Sequence, residues 1–488
     1  MGEFELKLRV PPGRLAQVDK AVRRGHSREE RLQARYFDTA ARDLSGRGIV
    51  LRLRKEGRQW VQTAKAAGDG ALHRLEHDAP LGTAAPTLPD PRLHAGSEVG
   101  ERLDAALAHA RDPQLAPVFR TDVRRLSRVV VAGGTAVELA LDTGTIAAGR
   151  RSLPVAELEL ELKQGSRVAA IELAAEWARR HGLWLDTVSK AQRGWQLALG
   201  EAAPAAQAAA QPGFKPRAGG AAIARAVVTS ALDQVLANAS EVAEGHAGDE
   251  HVHQMRVGLR RLRTALRELA PLWPLLPQGD ADVLTHVFRE LGRHRDVSYL
   301  APHMQHDIAA AGGPQLAWEQ QEHALPDLRP VVQDAAFQQV LFALLARLAA
   351  DDDGGLPHAQ AKAWIAARLA RLHRQVRKAG PRFTQLPDEG QHAVRKHLKR
   401  LRYLAEFTRP LFKGKDVDAF VKALKPPQES LGAYQDVLVA LALWQGRTGA
   451  EPAAWFGVGW LSARRDAMAL DCERRCRAFV HDARPFWE

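Results

Sequence analysis

Glu157-Leu-Glu159-Leu-Glu161-Leu-Lys163 decides how the first part of this chain folds. Strand side chains point alternately to opposite faces, so this stretch puts three carboxylates and an ammonium on one side and Leu158, Leu160 and Leu162 on the other. Near the start, Glu3, Glu5, Lys7 and Arg9 alternate in the same way with Phe4, Leu6, Leu8 and Val10. Arg52 and Arg54 alternate with Leu51 and Leu53, and Glu138 and Asp142 with Val137, Leu139 and Leu141. Arg74, Glu76 and Asp78 supply a fifth such strand. One strand of this kind reads as a solvated face whose cross-strand ion pairs contribute about 0.2–1 kcal/mol each. Five of them point instead to an antiparallel sheet closed with its ionic faces inward, a tunnel lined by carboxylates and by Arg and Lys.

Carboxylates alone would repel a chain of phosphates. Mg²⁺ or Mn²⁺, hard cations that take oxygen ligands, would be anchored by the acids and bridge them to phosphate oxygens. Arg and Lys would grip the remaining oxygens through charge-assisted hydrogen bonds. Such a lumen suits a metal-bound triphosphate.

The whole chain has 488 residues, enough for two to four domains with cores of their own. Its 69 Lys and Arg against 57 Asp and Glu give a formal charge of +12, which favours polyanionic partners. Cys472 and Cys476 stand four apart with no second pair, fitting neither a zinc knuckle nor a redox CxxC. That spacing suits a reducing compartment. Met1 to Arg9 lacks the apolar core of a signal peptide, and Leu6 breaks the myristoylation pattern. The longest stretch without a charged residue, Ala202 to Phe214, is too short and too rich in Ala, Gln and Pro to span a bilayer. The expectation is a cytoplasmic protein with no transmembrane helix and no membrane partner.

Period-two patterning ends near residue 200, and Glu201 to Arg217 has the Ala, Gln and Pro composition of a linker. From residue 218 to 488 apolar residues recur every three to four positions, which reads as an all-α domain. His253, Arg256, Arg260 and Arg263 return with the same spacing as His392, Arg395, Lys399 and Arg402. Leu291, Gly292 and Asp296 return at nearly the same offset as Leu431, Gly432 and Asp436, so this half is a duplicated bundle with halves at about 218–350 and 358–488. The joint falls at Asp351 to Pro357. On a helix each four-residue set forms one basic stripe opposite an apolar stripe, Leu259, Leu262, Leu266 and Leu269 in the first case and Val394, Leu398 and Leu401 in the second. Lys396 and Arg400 widen the second stripe. A single basic stripe reads as a solvated face, but two at matching places in a repeat could line one groove. His303 and His306 are the clean helical histidine pair, with no carboxylate at ligand spacing beside them, so a metal role there is poorly supported.

Glu3-Phe-Glu5-Leu-Lys7 resembles the ExExK signature of the CYTH superfamily, the triphosphate tunnel metalloenzymes. It is followed in order by Tyr36-Phe-Asp38-Thr, Leu51-Arg-Leu-Arg54, Val61-Gln-Thr-Ala-Lys65, Arg74-Leu-Glu76, Arg125, Glu138, Leu141-Asp-Thr-Gly144, Glu157 to Lys163, and Ser189-Lys190-Ala-Gln-Arg-Gly194. The resemblance covers residues 1–200. It implies a metal-dependent inorganic triphosphatase acting on tripolyphosphate inside an antiparallel β-barrel tunnel. Glu3, Glu5, Glu159 and Glu161 would be the chief metal holders, with Glu76, Glu138 and Glu157 further acids of the site. Lys7, Arg52, Arg54, Lys65, Arg74, Arg125 and Lys190 would hold phosphates, with Lys7 also among the catalytic set. Simple alternation places Arg125 with Phe119 and Val123, so its inward position rests on the resemblance or on a bulge. A class IV adenylyl cyclase resembles the sequence less, because that start typically carries an extra histidine. Trp60, Trp184 and Trp195 read as core residues rather than as a slot for thiamine or adenine.

The basic helices resemble the CHAD domain, a pair of four-helix bundles, over residues 218–488. Val252-His253-Gln-Met-Arg256-Val-Gly-Leu-Arg260-Arg261-Leu-Arg263 and Leu398-Lys399-Arg400-Leu-Arg402-Tyr403 carry the likeness. It implies binding of long-chain inorganic polyphosphate by His253, Arg256, Arg260, Arg263, His392, Arg395, Lys399, Arg400 and Arg402. Nucleic acid ranks second, since Tyr403 is the main aromatic surface on these stripes. Asp296 and Asp436 would orient arginines or cap helices. Two alternatives stand beside the triphosphatase reading: a non-catalytic polyphosphate-binding protein associated with granules, and an enzyme for nucleoside or thiamine triphosphates.

Overall fold

A computed structural model describes residues 3–67, 73–274, 280–316, 326–351 and 354–488. The chain divides into two compact units, Met1–Gln207 with Leu236–His251 and Arg329–Ala350, and Ala208–Val235 with Val252–Leu328 and Asp351–Glu488.

The first unit is built on β1 (Glu3–Arg9), β2 (Arg28–Asp38), β3 (Ile49–Glu56), β4 (Gln59–Ala67), β5 (His73–Gly82), β6 (Ala116–Ala132), β7 (Thr135–Ala148), β8 (Arg151–Gln164) and the two-residue β9 (Trp184–Leu185). The strands lie in the order β5-β4-β3-β2-β6-β7-β8-β1-β9. Every pairing is antiparallel, and the sheet closes where Glu3 and Phe4 of β1 pair with Arg74 and His73 of β5. The rest of that edge of β1, at Leu8 and Arg9, is taken by β9.

Residues directly opposed in an antiparallel pair share a face. Lys7 opposes Glu159, Asp142 opposes both Glu157 and Arg125, Arg125 opposes Glu30, and Ala34 and Tyr36 oppose Arg54 and Arg52. Arg52 opposes Thr63, and Lys65 opposes Glu76. One unbroken face therefore runs round the ring and carries the ionic residues. The other face carries Leu6, Leu8, Leu51, Leu53, Leu139, Leu141, Leu158 and Leu160, each no more than 1% exposed.

Those leucines are covered from outside by α1 (Leu15–Val22), α2 (Glu98–Ala108) and α3 (Arg167–His181). Val99, Leu103 and Ala106 of α2 pack on Leu51, Ala64 and Ala66. Each leucine so buried stabilises by about 1.5–3 kcal/mol, so the apolar face is driven outward onto helices and the charged face is left to line the lumen.

Helix α4 (Lys190–Leu199) begins with a capping box in which Ser189 and Gln192 satisfy each other's backbone N–H. Ala191 and Leu197, with Trp195 beside them, pack among Ala34, Tyr36, Phe119, Val123, Ile146 and Val155, all lumen-face positions. Helix α4 thus plugs one end of the barrel. Gly194 permits this: a Cβ there would lie 2.2 Å from the Phe119 ring.

After residues 201–217, which form no regular element, come α5 (Gly220–Glu244), α6 (Asp249–Leu269), α7 (Asp280–Arg295), α8 (Ala301–Ala310), α9 (Arg329–Gln333) and α10 (Ala335–Ala349). Then follow α11 (His358–Ala379), α12 (Asp388–Phe407), α13 (Gly414–Gln445) and α14 (Ala454–Asp482). The joint expected at Asp351 to Pro357 separates α10 from α11, with Asp352 and Asp353 outside the described residues. The C-terminal part of α5 and the whole of α9 and α10 belong to the barrel's unit. The Leu185 N–H donates to Gln338 Oε1 at 2.9 Å, and the Thr187 N–H donates to Ser240 Oγ at 3.0 Å. The first compact unit therefore draws on both sides of the linker. Helix α5 has the length and apolarity of a membrane span, and 61% of its most apolar window is buried, as in a core helix. Both cysteines are buried free thiols on α14.

Candidate active site

Strands β7 and β8 bring Asp142, Glu157 and Glu159 together, one oxygen from each lying within 4.8 Å of the others. Asp142 and Glu157 are only 1% exposed. Carboxylates this deep persist as anions only when matched by cations. Lys190, at the tip of the α4 plug, reaches Asp142 and Glu159 at 2.7 Å each and also contacts Glu157. Arg125 forms a two-pronged pair with Asp142, both contacts at 2.7 Å, and also meets Glu159. Lys7 lies 4.0 Å from Glu157 and donates to the Val188 carbonyl. Burial alone would raise the Glu159 carboxyl, but Lys190, Arg125 and Lys7 outweigh it and hold it well below the usual range. Burial likewise opposes the Lys190 charge, and Asp142, Glu157 and Glu159 keep that ammonium well above its ordinary value.

Nearer solvent on the same strands, Lys163 bridges Glu138 at 2.9 Å and Glu161 at 2.7 Å. Glu138 and Glu161 are 27% and 25% exposed, so the acid ladder of β8 climbs from a dry floor to an open mouth. Glu5 opposes Glu161 across the β1–β8 pair.

In a ring of eight strands, β3 and β4 stand opposite β8 and β7. That wall carries Arg52, Arg54 and Lys65. Lys65 pairs with Glu76 at 2.5 Å, Arg52 stands 3.8 Å from Glu76, and Arg54 donates to Glu56 at 2.5 Å. Burial and the neighbouring Arg52 depress the Arg54 guanidinium, so the wall is short of compensating acid. Asp78 accepts from the Thr63 hydroxyl at 2.5 Å. Glu3 and Arg74 lie in β1 and β5 by backbone register, and their side chains fall outside the described part of the structure.

Arg125 reaches the lumen without a bulge beside it. The register shift between β2 and β6 falls at Tyr36 and Phe37, while Arg125 opposes Asp142 and Glu30 directly. Phe119 and Val123 share its face because that end of the lumen is filled by α4 rather than by water. Asp142 and Tyr36 are lumen residues to which the sequence alone assigns no role. Asp142 carried a signal, its place on the same alternating face as Glu138. Tyr36 stacks on Phe119 at 4.3 Å, and the nearby Arg52 guanidinium holds its hydroxyl below the ordinary value against the effect of burial. Trp184 is buried and Trp195 packs edge-on against Phe119 at 5.8 Å, while Trp60 lies beneath Arg35 at 5.5 Å.

In the helical unit α6 and α12 turn their basic stripes toward each other. Burial and the mutual repulsion of Arg256, Arg260, Arg295 and Arg395 lower the Arg256 and Arg395 guanidinium values to about 10 each. Arg260 donates to the Tyr403 hydroxyl at 2.9 Å, and Arg256 and Arg263 each lie 5.1 Å over the Phe288 ring. Asp436 contacts Arg295 at 3.4 Å, and Asp296 begins a wide π-helical turn after α7. His253 and His392 are exposed at the ends of their stripes, and His392 faces Gln435 at 3.4 Å. Arg400 leaves the stripe: with Arg368 it pairs to Glu268, a fully buried carboxylate. Arg402 is engaged with Glu406 at 2.6 Å and Gln428 at 2.8 Å. Among the described residues, the Arg and Lys side chains of the two four-residue stripes that pair with no acid are Arg256, Arg260, Arg263, Arg395 and Lys399.

Residues 1–195 match the CYTH domain family, and residues 226–445 match the CHAD domain family. An uncharacterized protein of Mycobacterium tuberculosis is 28% identical over 459 residues, 87% of this chain and 83% of that one. An inorganic triphosphatase of Haemophilus influenzae is 28% identical over 201 residues, 40% of this chain and 54% of that enzyme. The crystal structure of the CHAD domain from the plant Ricinus communis is 26% identical and covers 58% of this chain and 98% of its own, with a TM-score of 0.48.

Proposed function

We propose that this chain, which carries a CYTH domain followed by a CHAD domain, hydrolyses tripolyphosphate to pyrophosphate and phosphate inside the barrel and binds long-chain polyphosphate on its basic helices. The observation that carries the first half is a closed lumen with an acid ladder on β7 and β8 standing opposite Arg52, Arg54 and Lys65 on β3 and β4. The similarity to an inorganic triphosphatase supports the same reading.

The acidic donor set is all carboxylate oxygen, the chemistry that suits Mg²⁺ or Mn²⁺. Asp142, Glu157 and Glu159 would hold the ion, with Glu5, Glu138 and Glu161 nearer the mouth. When bound, it would neutralise phosphate charge and lower the pKa of a coordinated water. The chain's own part is binding and positioning. Arg52, Arg54 and Lys65 grip phosphate oxygens on one wall, and Lys190, Arg125 and Lys7 keep the facing carboxylates ionised. Helix α4 closes the far end, so the substrate enters past Glu138, Glu161 and Lys163 and is held with one terminal phosphorus toward the acids. Water adds to that phosphorus, the bridging P–O bond breaks, and pyrophosphate leaves with the bond's electron pair.

A second reading is favoured by one observation. Lys190 and Lys163 already satisfy the carboxylates that a metal would need, as in a barrel that has become purely structural in a polyphosphate-binding protein. Phosphate release from tripolyphosphate, ATP and thiamine triphosphate, with Mg²⁺ or Mn²⁺, decides between them. Wild type should release phosphate fastest from tripolyphosphate, and Glu159→Gln should lose at least a hundredfold. Equal background release by both proteins would leave only the binding reading.

A further inference from the structure

The basic groove of the helical unit contains a lysine in an unusual position. Lys399, on α12, faces Arg256 and Arg260 from α6, Arg395 from its own helix, and Asp436 from α13. Nearby, Arg295 is tied to Asp436, and Asp296 faces Arg256. The cations of this cluster outnumber its acids five to two. Among the described residues Lys399 makes no ion pair or hydrogen bond. Arg256 Nη1 and Arg395 Nε are buried donors that also lack acceptors. Three neighbouring basic groups therefore hold unused N–H bonds, which an anion with several oxygens could satisfy together.

An arginine cannot relieve such crowding by losing its proton, whereas a lysine can. We propose that Lys399 is the proton-accepting centre of this polyanion site, uncharged while the groove is empty and protonated when phosphate oxygens enter it. The proposal rests on the reading of the groove as a polyphosphate site and adds how binding there depends on pH. Burial first, and then Arg260, Arg395 and Arg256, push the Lys399 ammonium down to about 5, so neutral solution leaves it without charge. An arriving polyanion cancels the repulsion and adds attraction, which moves that value back toward the ordinary lysine range.

The sign follows from linkage. The complex holds one proton more than its separated parts, so affinity falls as pH rises, about tenfold per unit, between the value of the empty groove and that of the complex. Between pH 7.0 and 8.5 His392 of the empty groove is uncharged, because burial and then Lys396 hold it under its ordinary value of 6.5. Internal phosphates of a long chain stay ionised across neutral pH, so the ligand does not supply the effect.

The test uses the full chain, long-chain polyphosphate and a chelator that silences metal-dependent binding in the barrel. Wild type should bind about 30-fold more weakly at pH 8.5 than at pH 7.0. Calorimetry in two buffers of different ionisation enthalpy should report uptake of about one proton. Lys399→Arg should bind with no slope between those pH values, and Lys399→Met should bind weakly and also without slope, both variants melting as cooperatively as wild type. A flat wild-type profile, or a slope that survives in both variants, overturns the proposal while leaving polyphosphate binding intact. Absence of wild-type binding even at pH 6.5 and low salt overturns the binding reading and this inference with it.

Discussion

Lys190 Nζ lies 2.7 Å from a carboxylate oxygen of Asp142, a residue 1% exposed at the floor of a closed barrel. A surface helix could not deliver that contact. It requires α4 to enter the barrel end first, with its capped N-terminus aimed at the acids. The ammonium also touches Glu157 and Glu159, so one side chain serves three carboxylates.

Replacing Lys190 with Met should therefore destabilise the first unit by about 3–5 kcal/mol, the cost of leaving buried charge unmatched. Divalent ions should then restore part of the loss. Mn²⁺ at millimolar concentration should raise the melting temperature of Lys190→Met more than that of wild type, because an ion bound only by the folded state stabilises by mass action. A variant whose melting ignores Mn²⁺ would show that these acids do not form a cation site.

Glu241 gives a pH dependence of known sign. Its side chain is fully buried, neither oxygen has a hydrogen-bond partner among the described residues, and burial pushes the carboxyl up to about 7 against the opposing pull of Arg193. Below the unfolded value of 4.5 both states are protonated and the group has no effect. As pH rises through the interval to 7, the unfolded chain ionises first and stability is lost, by about 3 kcal/mol at 1.36 kcal/mol per unit. Glu241→Gln should match wild type in urea unfolding at pH 4.5 and exceed it by roughly that amount at pH 8. Equal stability at both pH values would mean that Arg193 and His246, whose Nδ1 lies 3.8 Å from this carboxylate, compensate its charge in full.

The alternation of Glu157 to Lys163 states which side chains share a face, because the period of a strand is fixed by its covalent geometry. It does not state which face turns inward. That depends on closure, and closure depends on the pairing of Glu3 and Phe4 with Arg74 and His73, residues far apart in sequence. Arg125 shows where local reading stops. Its company of Phe119 and Val123 looks like an outward apolar face until α4 is seen filling the same end of the lumen. The basic stripes were legible for a similar reason, helical periodicity. The departure of Arg400 to Glu268 was not, since it depends on a carboxylate from another helix.

Gly194 should tolerate no side chain. A Cβ there would lie 2.2 Å from the Phe119 ring, which is itself pinned between Tyr36 and Trp195. Gly194→Ala should cost about 1–3 kcal/mol through overpacking. Because Lys190 rides on the same helix, the variant should also lose phosphate release more steeply than its stability loss explains. Phe119→Leu in the Gly194→Ala background should recover part of both, and additive losses in the double-mutant cycle would mean that α4 does not sit against Phe119.

Arg400 and Arg395 are separated by little more than one helical turn on α12, yet they should fail in opposite ways. Arg400 compensates Glu268, a carboxylate with no solvent exposure, so Arg400→Ala should lower the stability of the helical unit by about 3–5 kcal/mol. Its loss should leave polyphosphate affinity unchanged at temperatures where the variant is folded. Arg395 carries a buried unpaired donor and is repelled by Arg260 and Arg256, so its removal should leave stability equal or slightly higher. Binding should nevertheless weaken, and the plot of log affinity against log salt should become shallower, by analogy with the counterions released when phosphates on a nucleic acid are neutralised. Melting and binding measured on both variants separate a structural cation from a ligand-binding one. If Arg395→Ala keeps full affinity and the full salt slope, polyphosphate does not enter the space between α6 and α12.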